Sequence, residues 1–209
     1  MTTDSNMWGG GYWDARYSGE GFRFGTKPAA FLTRNADCLA KGSRVLCVAD
    51  GEGRNSVWMA SQGHNVTAFD ASAVAVDKAR GLARENGVSV DYHVSGIEDW
   101  DWTKTYDAVV AVFVQFAPPD LRDRFFGWMA QAVAPGGMLL LHGYAPRQIG
   151  YATGGPGREE HMYTEEMLRT AFAGFDILRI ADYDAELSEG SGHAGQSALV
   201  DLVARKPAA

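Results

Sequence analysis

A short glycine-rich segment, Asp50-Gly51-Glu52-Gly53-Arg54-Asn55, follows an apolar run and precedes a stretch with helical periodicity. Glycines let the backbone turn sharply and let a ligand approach the main chain closely. The helix that follows points its free N–H groups at such a ligand. Asp70 ends the next apolar run, 19 residues after Gly51. Because a carboxylate at this place typically accepts hydrogen bonds from ribose hydroxyls, the pattern predicts a site for an adenosine-containing cofactor.

The spacing of the glycines discriminates between cofactors. The third glycine of a dinucleotide-binding G-x-G-x-x-G motif is replaced by Ser56, which disfavours NAD. The sequence holds no phosphate-binding G-x-x-x-x-G-K loop, and it lacks the Tyr-x-x-x-Lys pair of many hydride-transfer enzymes. A nicotinamide-dependent oxidoreductase is therefore disfavoured. The remaining common cofactor is S-adenosylmethionine, whose amino-acid carboxylate needs only one small anion pocket.

The elements that must position this segment alternate along the chain. Predicted strands cover residues 44–49, 66–69, 88–94 and 106–114, and a fifth begins at 138; predicted helices cover 54–62 and begin at Ser72 and Pro118. This alternation predicts a parallel α/β sheet with right-handed crossovers. A helix from 164 to about 173 follows. Residues 175–185 and 197–204 then predict a hairpin at one edge, joined through Glu189-Gly190-Ser191-Gly192-His193.

Composition sets the broad class. The chain has 209 residues, 46% apolar content and a net charge of −7, which suit one domain and argue against a nucleic-acid partner. No apolar run approaches 18 residues and the first residues do not resemble a signal peptide, so neither a membrane partner nor export is expected. The two cysteines predict a reducing cytoplasm and no cysteine-based metal site.

Aromatic residues are concentrated near the N-terminus. Six of them fall in the first 24 residues among glycines: Trp8, Tyr12, Trp13, Tyr17, Phe22 and Phe24. This composition predicts a mobile cover over a site, with an arm packed permanently on the core as the alternative.

Four motifs in register resemble class I S-adenosylmethionine-dependent methyltransferases. They are Val45-Leu-Cys-Val-Ala-Asp50-Gly-Glu-Gly-Arg-Asn55, Phe69-Asp70-Ala-Ser72, Tyr106-Asp107-Ala-Val-Val110 and Ala134-Pro-Gly-Gly137. The similarity runs from about residue 8 to 206. Three further stretches are similar to the tellurite-resistance-type branch of small bacterial enzymes: Trp13-Asp14-Ala-Arg16-Tyr17, Phe24-Gly25-Thr26-Lys-Pro28 and Tyr151-Ala-Thr-Gly-Gly-Pro156.

The resemblance implies a Rossmann-like fold: a seven-stranded, mostly parallel sheet with the last strand antiparallel and helices on both faces. It divides the chain into an arm and helix over residues 1–43 and a cofactor-binding domain over 44–209. It implies that S-adenosylmethionine, and the product S-adenosylhomocysteine, lie across the carboxyl ends of strands one, two and four. The residues implied to bind it are Ala49, Asp50, Gly51, Gly53, Asn55, Asp70, Ala71, Ser72, Gly96, Ile97, Glu98, Val112 and Phe113.

Three positions depart from the family pattern. Cys47 stands where an acidic residue is usual, Ala49 where glycine is usual, and Gly96 where a carboxylate often meets the adenine amine. Glu98 or Asp99 could supply that carboxylate instead, or a backbone carbonyl could accept from the amine.

Residues for the methyl acceptor are predicted from their places in the fold. His142 and Tyr144 share one face at the end of the fifth strand, and Gln115 follows the fourth, so these three are the catalytic candidates; hydrogen-bonded strand ends are the alternative for the pair. Arg16 could neutralise an anionic acceptor or the carboxylate of the cofactor, with an ordinary surface arginine as the alternative. The remaining substrate candidates are Tyr17, Phe24, Phe116, Tyr151, His161 and Tyr163. His193 is interpreted as part of a turn.

The sequence thus favours a cytoplasmic methyltransferase acting on a small molecule: a thiol, a chalcogen oxyanion or another metabolite. It would work as a monomer or homodimer, without a metal. The alternative is a non-catalytic module that binds S-adenosylmethionine or S-adenosylhomocysteine.

Overall fold

A seven-stranded sheet is the centre of the computed structural model, which describes residues 9–190 and 192–208. Trp8 and the rest of residues 1–8 lie outside the described residues. The strands are β1 (Arg44–Val48), β2 (Asn65–Asp70), β3 (Asp91–Val94), β4 (Tyr106–Val112), β5 (Val133–Tyr144), β6 (Asp176–Ser188) and β7 (Ala194–Arg205). Their order is β3-β2-β1-β4-β5-β7-β6, and β7 is antiparallel to both of its neighbours. The predicted sheet and its antiparallel last strand are confirmed.

Seven helices are described around the sheet. They are α1 (Gly10–Tyr17), α2 (Ala30–Arg34), α3 (Arg54–Ser61), α4 (Ala73–Glu85), α5 (Pro119–Ala132), α6 (Gln148–Tyr151) and α7 (Glu165–Ala171). Two short 3₁₀ turns, Ala36–Cys38 and Glu159–His161, complete the regular structure of the described residues. No helix within those residues is both long and apolar enough to span a membrane.

The centre of the sheet is buried on both faces because its central strands carry uninterrupted apolar runs, such as residues 45–48 and 108–112. In β1, Leu46 and Val48 pack into one core, formed with α5 and α7, whereas Val45 and Cys47 pack into the other, formed with α2, α3 and α4. Cys47, where the family usually has an acidic residue, is therefore a core residue that does not line the candidate site.

Local signals explain where the elements begin and end. The Ser72 hydroxyl accepts a hydrogen bond from Ala75 N at 3.0 Å and caps the start of α4. Strand β3 is shorter than predicted because Val88 N donates to Ala83 O and so closes the end of α4. Strand β5 is longer than predicted because Gly136 N and Gly137 O pair with the segment that follows β7.

Candidate active site

A cavity of about 880 Å³ lies over the carboxyl ends of β1, β2 and β4 and is covered by α1 and the arm residues Phe24 and Gly25. It sits where open α/β sheets bind ligands. The predicted residues that line it are Arg16, Tyr17, Phe24, Ala49, Asp50, Gly51, Asn55, Asp70, Ala71, Gly96, Ile97, Glu98, Val112, Phe113, Gln115, Phe116 and Tyr144.

The glycine-rich loop is a series of tight turns at one end of this cavity. Ala49, Gly51 and Gly53 all have positive φ, at 46°, 62° and 91°. Gly53 does not line the cavity. A Cβ there would lie 2.7 Å from the Cβ of Ala79 and 2.9 Å from the Tyr92 hydroxyl. Gly53 therefore lets α4 pack against the loop, rather than facing a ligand as predicted.

Ser72 also lies outside the cavity lining. Its hydroxyl makes two hydrogen bonds within the protein. It accepts from Ala75 N in the α4 cap and donates to Asp14 Oδ1 at 2.6 Å, which fastens α1 to the start of α4. The predicted cofactor contact of Ser72 is thus replaced by a structural role.

Asp70 is held rigidly at the end of β2. Its Oδ2 accepts from Gly51 N at 2.8 Å and its Oδ1 accepts from Ser72 N at 2.9 Å. Burial raises the pKa of Asp70 to about 6, against the lowering effect of those two hydrogen bonds. Burial likewise raises the pKa of Asp50 to about 7, although the Ser56 hydroxyl donates to it. Burial makes ionisation of these two carboxylates unfavourable. A ligand that carries positive charge would stabilise their ionised forms.

We expect cofactor affinity to fall as pH decreases through 7 and 6. Both pKa values are raised, so protonation stabilises the ligand-free fold, and that contribution is lost as pH rises through about 6 to 7. A cationic ligand binds the ionised carboxylates and is therefore favoured at high pH. Calorimetry should show roughly ten-fold weaker binding at pH 6 than at pH 8 for S-adenosylmethionine, with a smaller loss for S-adenosylhomocysteine, which lacks the sulfonium charge. An affinity that rises on acidification would contradict this account.

Glu52, between the two loop glycines, fixes the arm. Its Oε2 accepts from Arg23 N at 2.7 Å and more weakly from Phe24 N at 3.4 Å, while its Oε1 pairs with the Lys78 ammonium at 2.9 Å. Lys78 also donates to Gly19 O and Gly21 O, at 2.8 and 2.7 Å. The Glu52 side chain is 2% exposed, so it forms a largely desolvated ion pair with Lys78 of α4, and both residues hydrogen-bond to the backbone of the arm.

Replacing Lys78 by Met should loosen the arm and leave the sheet intact. The substitution leaves Glu52 buried without its cation and removes two bonds to arm carbonyls, which costs about 2 kcal/mol after allowance for the partial exposure of Lys78. Limited trypsin digestion should cut the variant faster after Arg16 or Arg23. Arg84→Met, at an exposed position of the same helix, is the control. Equal cleavage rates in the two variants would count against this role.

A carboxylate lies beside Gly96. A Cβ at Gly96 would lie 3.3 Å from Asp99 Oδ2, and Asp99 lines the cavity. Glu98 also lines the cavity, but its carboxylate pairs with Arg124 at 3.4 Å on the surface. Asp99 is therefore better placed than Glu98 to meet an adenine amine.

The opposite end of the cavity is formed by residues distant in sequence. Tyr144 ends β5, and its hydroxyl lies 2.6 Å from Nδ1 of His193 at the β6–β7 turn. The imidazole is stacked between Phe24 and Phe113, with ring centroids at 4.4 and 4.1 Å. The interpretation of His193 as a simple turn residue is wrong, because this buried side chain lines the cavity.

Gln115 lines the cavity, but both polar atoms of its side-chain amide form hydrogen bonds with the main chain of Tyr144. Its Nε2 donates to Tyr144 O at 2.8 Å and its Oε1 accepts from Tyr144 N at 2.6 Å. It therefore positions Tyr144.

Four predicted acceptor residues lie away from the cavity lining. His142 lies two residues before the end of β5 and is buried in the core. Its Nδ1 pairs with Asp201 at 2.6 Å and its ring stacks on Phe31. The cavity begins beyond the end of β5, so of the predicted pair only Tyr144 reaches it. The hydroxyl of Tyr151 donates to Asp184 and that of Tyr163 to Val114 O, while His161 is buried beside Tyr163 in the 3₁₀ turn.

Sequence reasoning missed Arg54, Arg158 and His193, all of which line the cavity, as does Trp13 of the predicted cover. Arg54 pairs with Glu189 at 2.7 Å, and this buried ion pair ties α3 to the β6–β7 turn. The glycines around His193 were the available signal: a Cβ at Gly190 would lie 2.5 Å from Gly25 N, and one at Gly192 would lie 2.2 Å from the Phe24 ring. Such glycines mark a close crossing of two segments. Within the described residues no group of three or more His, Cys, Asp or Glu side chains could hold a metal ion.

Comparisons with known proteins agree with this arrangement. Residues 45–137 match a family profile described as "Methyltransferase domain". Ubiquinone biosynthesis O-methyltransferase of Rickettsia conorii is 34% identical over 97 residues, which cover 46% of this chain and 33% of the relative. The enzyme of the same name from Xanthomonas axonopodis is 37% identical over 102 residues, covering 48% and 42%. The chain thus spans about two fifths or less of the length of these curated relatives.

Solved structures share the fold over most of the chain. A protein from a study of the conversion of a disulfide bond into a thioacetal group in echinomycin biosynthesis has a TM-score of 0.74 and 20% identity, covering 95% of this chain and 91% of its own. TehB from Haemophilus influenzae has a TM-score of 0.70 and 16% identity, covering 94% and 66%. Magnesium protoporphyrin IX methyltransferase from Synechocystis, with bound S-adenosylhomocysteine, has a TM-score of 0.66 and 20% identity, covering 84% and 79%.

Proposed function

Because this chain belongs to the class I S-adenosylmethionine-dependent methyltransferases, we propose that it transfers a methyl group from S-adenosylmethionine to an oxygen atom of a small molecule held in the cavity above the sheet. The observation that carries the proposal is the two-ended cavity: acidic groups and the glycine loop lie at one end, and Tyr144 with His193 lies at the other.

The residues of the first end fit the cofactor. We assign Asp70 to the ribose, Asp99 to the adenine amine and Asp50 to the amino acid moiety, because all three residues line the cavity. The negative charges suit the ammonium and sulfonium groups. When bound, the cofactor supplies an electrophilic methyl group, so the protein contributes chiefly by positioning the two reactants.

The second end fits a small acceptor with a flat or apolar body. Phe24, Phe113 and Tyr144 contact the His193 ring at this end, and Trp13, Tyr17 and Phe116 also line the cavity. Trp13 packs on Tyr17 at 5.8 Å and on Phe116 at 6.2 Å, which joins the cover to the end of β4. A cover of this kind suits a small acceptor better than a large polymer. Oxygen as the acceptor atom is supported by the names of the curated relatives, and a chalcogen oxyanion only by the fold shared with TehB.

Calorimetry with S-adenosylmethionine, S-adenosylhomocysteine and NAD tests the proposal, followed by transfer of a labelled methyl group to a panel of small phenols and carboxylic acids. We expect the first two ligands to bind, NAD to give no heat, and label to appear on at least one acceptor. Binding of NAD alone would contradict the family's chemistry in this chain. Tight binding of both sulfur compounds without any transfer would favour the non-catalytic module.

A further inference from the structure

His193 is the most constrained polar side chain at the acceptor end of the cavity. It follows the turn between β6 and β7, and its backbone is fixed by Glu189 N, which donates to His193 O at 2.8 Å, and by a bridge to Gly154. Its ring lies between Phe24 and Phe113 at interplanar angles of 26° and 21°. An imidazole clamped on both faces can present only its edge to a ligand.

We propose that this edge binds the methyl acceptor as an anion: the hydroxyl of Tyr144 donates to Nδ1 of His193, which leaves Nε2–H to donate to the acceptor's oxyanion. The inference rests on the proposed function and adds to it the charge state of the acceptor and the residue that holds it. The acceptor class is a small carboxylate or phenolate with a planar body.

The hydrogen bond between Tyr144 and His193 sets the tautomer. Burial raises the pKa of Tyr144 well above its ordinary range, so the phenol keeps its proton and has one to donate. Its partner is Nδ1 at 2.6 Å. A neutral imidazole whose Nδ1 accepts carries its proton on Nε2, and no described residue forms a hydrogen bond with that nitrogen. A ligand in the cavity is therefore the acceptor left for the Nε2–H group of His193.

The charges around His193 favour a neutral ring and an anionic ligand. Burial first, and then the charges of Arg54, His142 and Arg23, lower the pKa of His193 to about 2. Arg54 is paired with Glu189 at 2.7 Å and Arg158 lies 3.9 Å from Glu160; Arg16, Arg54 and Arg158 all line the cavity. A proton moving from a hydroxyl acceptor to this imidazole would create a cation beside those groups. An acceptor that arrives already ionised avoids that cost.

The reaction then needs no base. A lone pair of the acceptor oxyanion forms the new O–C bond, the S–C bond breaks, and its electron pair remains on sulfur. The negative charge of the acceptor and the positive charge of the sulfonium disappear together, and no proton is released. His193 holds the oxygen in line and gives up its hydrogen bond as the charge disappears, so it positions the acceptor throughout.

Calorimetry on the chain loaded with S-adenosylhomocysteine tests the charge preference, with benzoate and the isosteric neutral benzamide as probes. We expect benzoate to bind roughly ten- to hundred-fold more tightly, the range of a hydrogen bond to a charged group. His193→Phe should abolish the difference, and His193→Gln, which keeps an N–H donor, should restore part of it. His93→Gln, at an exposed strand position, is the matched control.

Nitrogen-15 NMR of the histidine rings tests the tautomer without any turnover, with His193→Gln assigning the signal. We expect Nδ1 to show the shift of an unprotonated nitrogen and Nε2 that of a protonated one, without titration between pH 5 and 8. Tyr144→Phe should change this pattern.

A benzoate affinity no greater than that of benzamide, a proton on Nδ1 at neutral pH, or titration of His193 near pH 6 would each overturn the inference. Failure of the proposed function would look different, because S-adenosylhomocysteine itself would then not bind in the first titration.

Discussion

Replacing Asp70 by Ala is expected to weaken S-adenosylhomocysteine binding by about ten- to hundred-fold. A hydrogen bond to a charged group contributes about 1.5–3 kcal/mol, and each 1.36 kcal/mol is ten-fold in affinity. The carboxylate also holds Gly51 N and Ser72 N, so its loss frees both the loop and the start of α4. Calorimetry at pH 8, where Asp70 is ionised, measures the effect.

Two further variants make this result interpretable. Asp70→Asn keeps one acceptor oxygen without the charge and should fall between the wild type and the Ala variant. Asp77→Ala, on the exposed face of α4, should bind as the wild type does. Thermal unfolding of Asp70→Ala shows whether the fold persists. An unchanged affinity in a folded Asp70→Ala protein would refute the ribose-binding role.

Replacing Gly53 by Ala is expected to lower the free energy of unfolding by about 3 kcal/mol. The left-handed backbone at φ 91° costs a non-glycine residue about 1 kcal/mol. The new Cβ would also lie 2.7 Å from Ala79 Cβ and 2.9 Å from Ala79 Cα, contacts that only a shift of α4 against the loop can relieve, at a further cost of about 1–3 kcal/mol. Urea denaturation of the ligand-free chain measures the total.

Gly63→Ala separates the two causes of this loss. Gly63 has a similar φ of 86°, but no atom lies within 4 Å of its added Cβ. This variant should therefore lose only about 1 kcal/mol. Equal losses at the two positions would show that backbone conformation, rather than packing against Ala79, is what requires glycine at position 53.

The sheet was predictable because its signals are local. Continuous apolar runs such as 45–48 and 108–111 are typical of strands buried on both faces, and helical periodicity between them leaves few topologies open. The exact extent of β5 and the terminal hairpin was not predictable, because it depends on backbone pairing between segments far apart in the chain.

The cofactor end of the site was also largely determined by the sequence. The loop from Ala49 to Asn55 is contiguous, and Asp70 follows at a fixed distance because one strand–helix–strand unit separates the two. Even there, the sequence did not distinguish residues that face the cavity from Gly53 and Ser72, which support it from behind. That distinction depends on which neighbour each side chain meets.

The acceptor end was decided by the tertiary structure alone. Tyr144 and His193 are 49 residues apart, and they meet only because β7 returns antiparallel beside β5 and brings the preceding turn over the sheet edge. His142 shares a strand face with Tyr144, yet it is held in the core by Asp201 from that same β7. Spacing along a chain fixes which residues share a face, but the end of the strand and the element that crosses it determine which of them reaches the ligand.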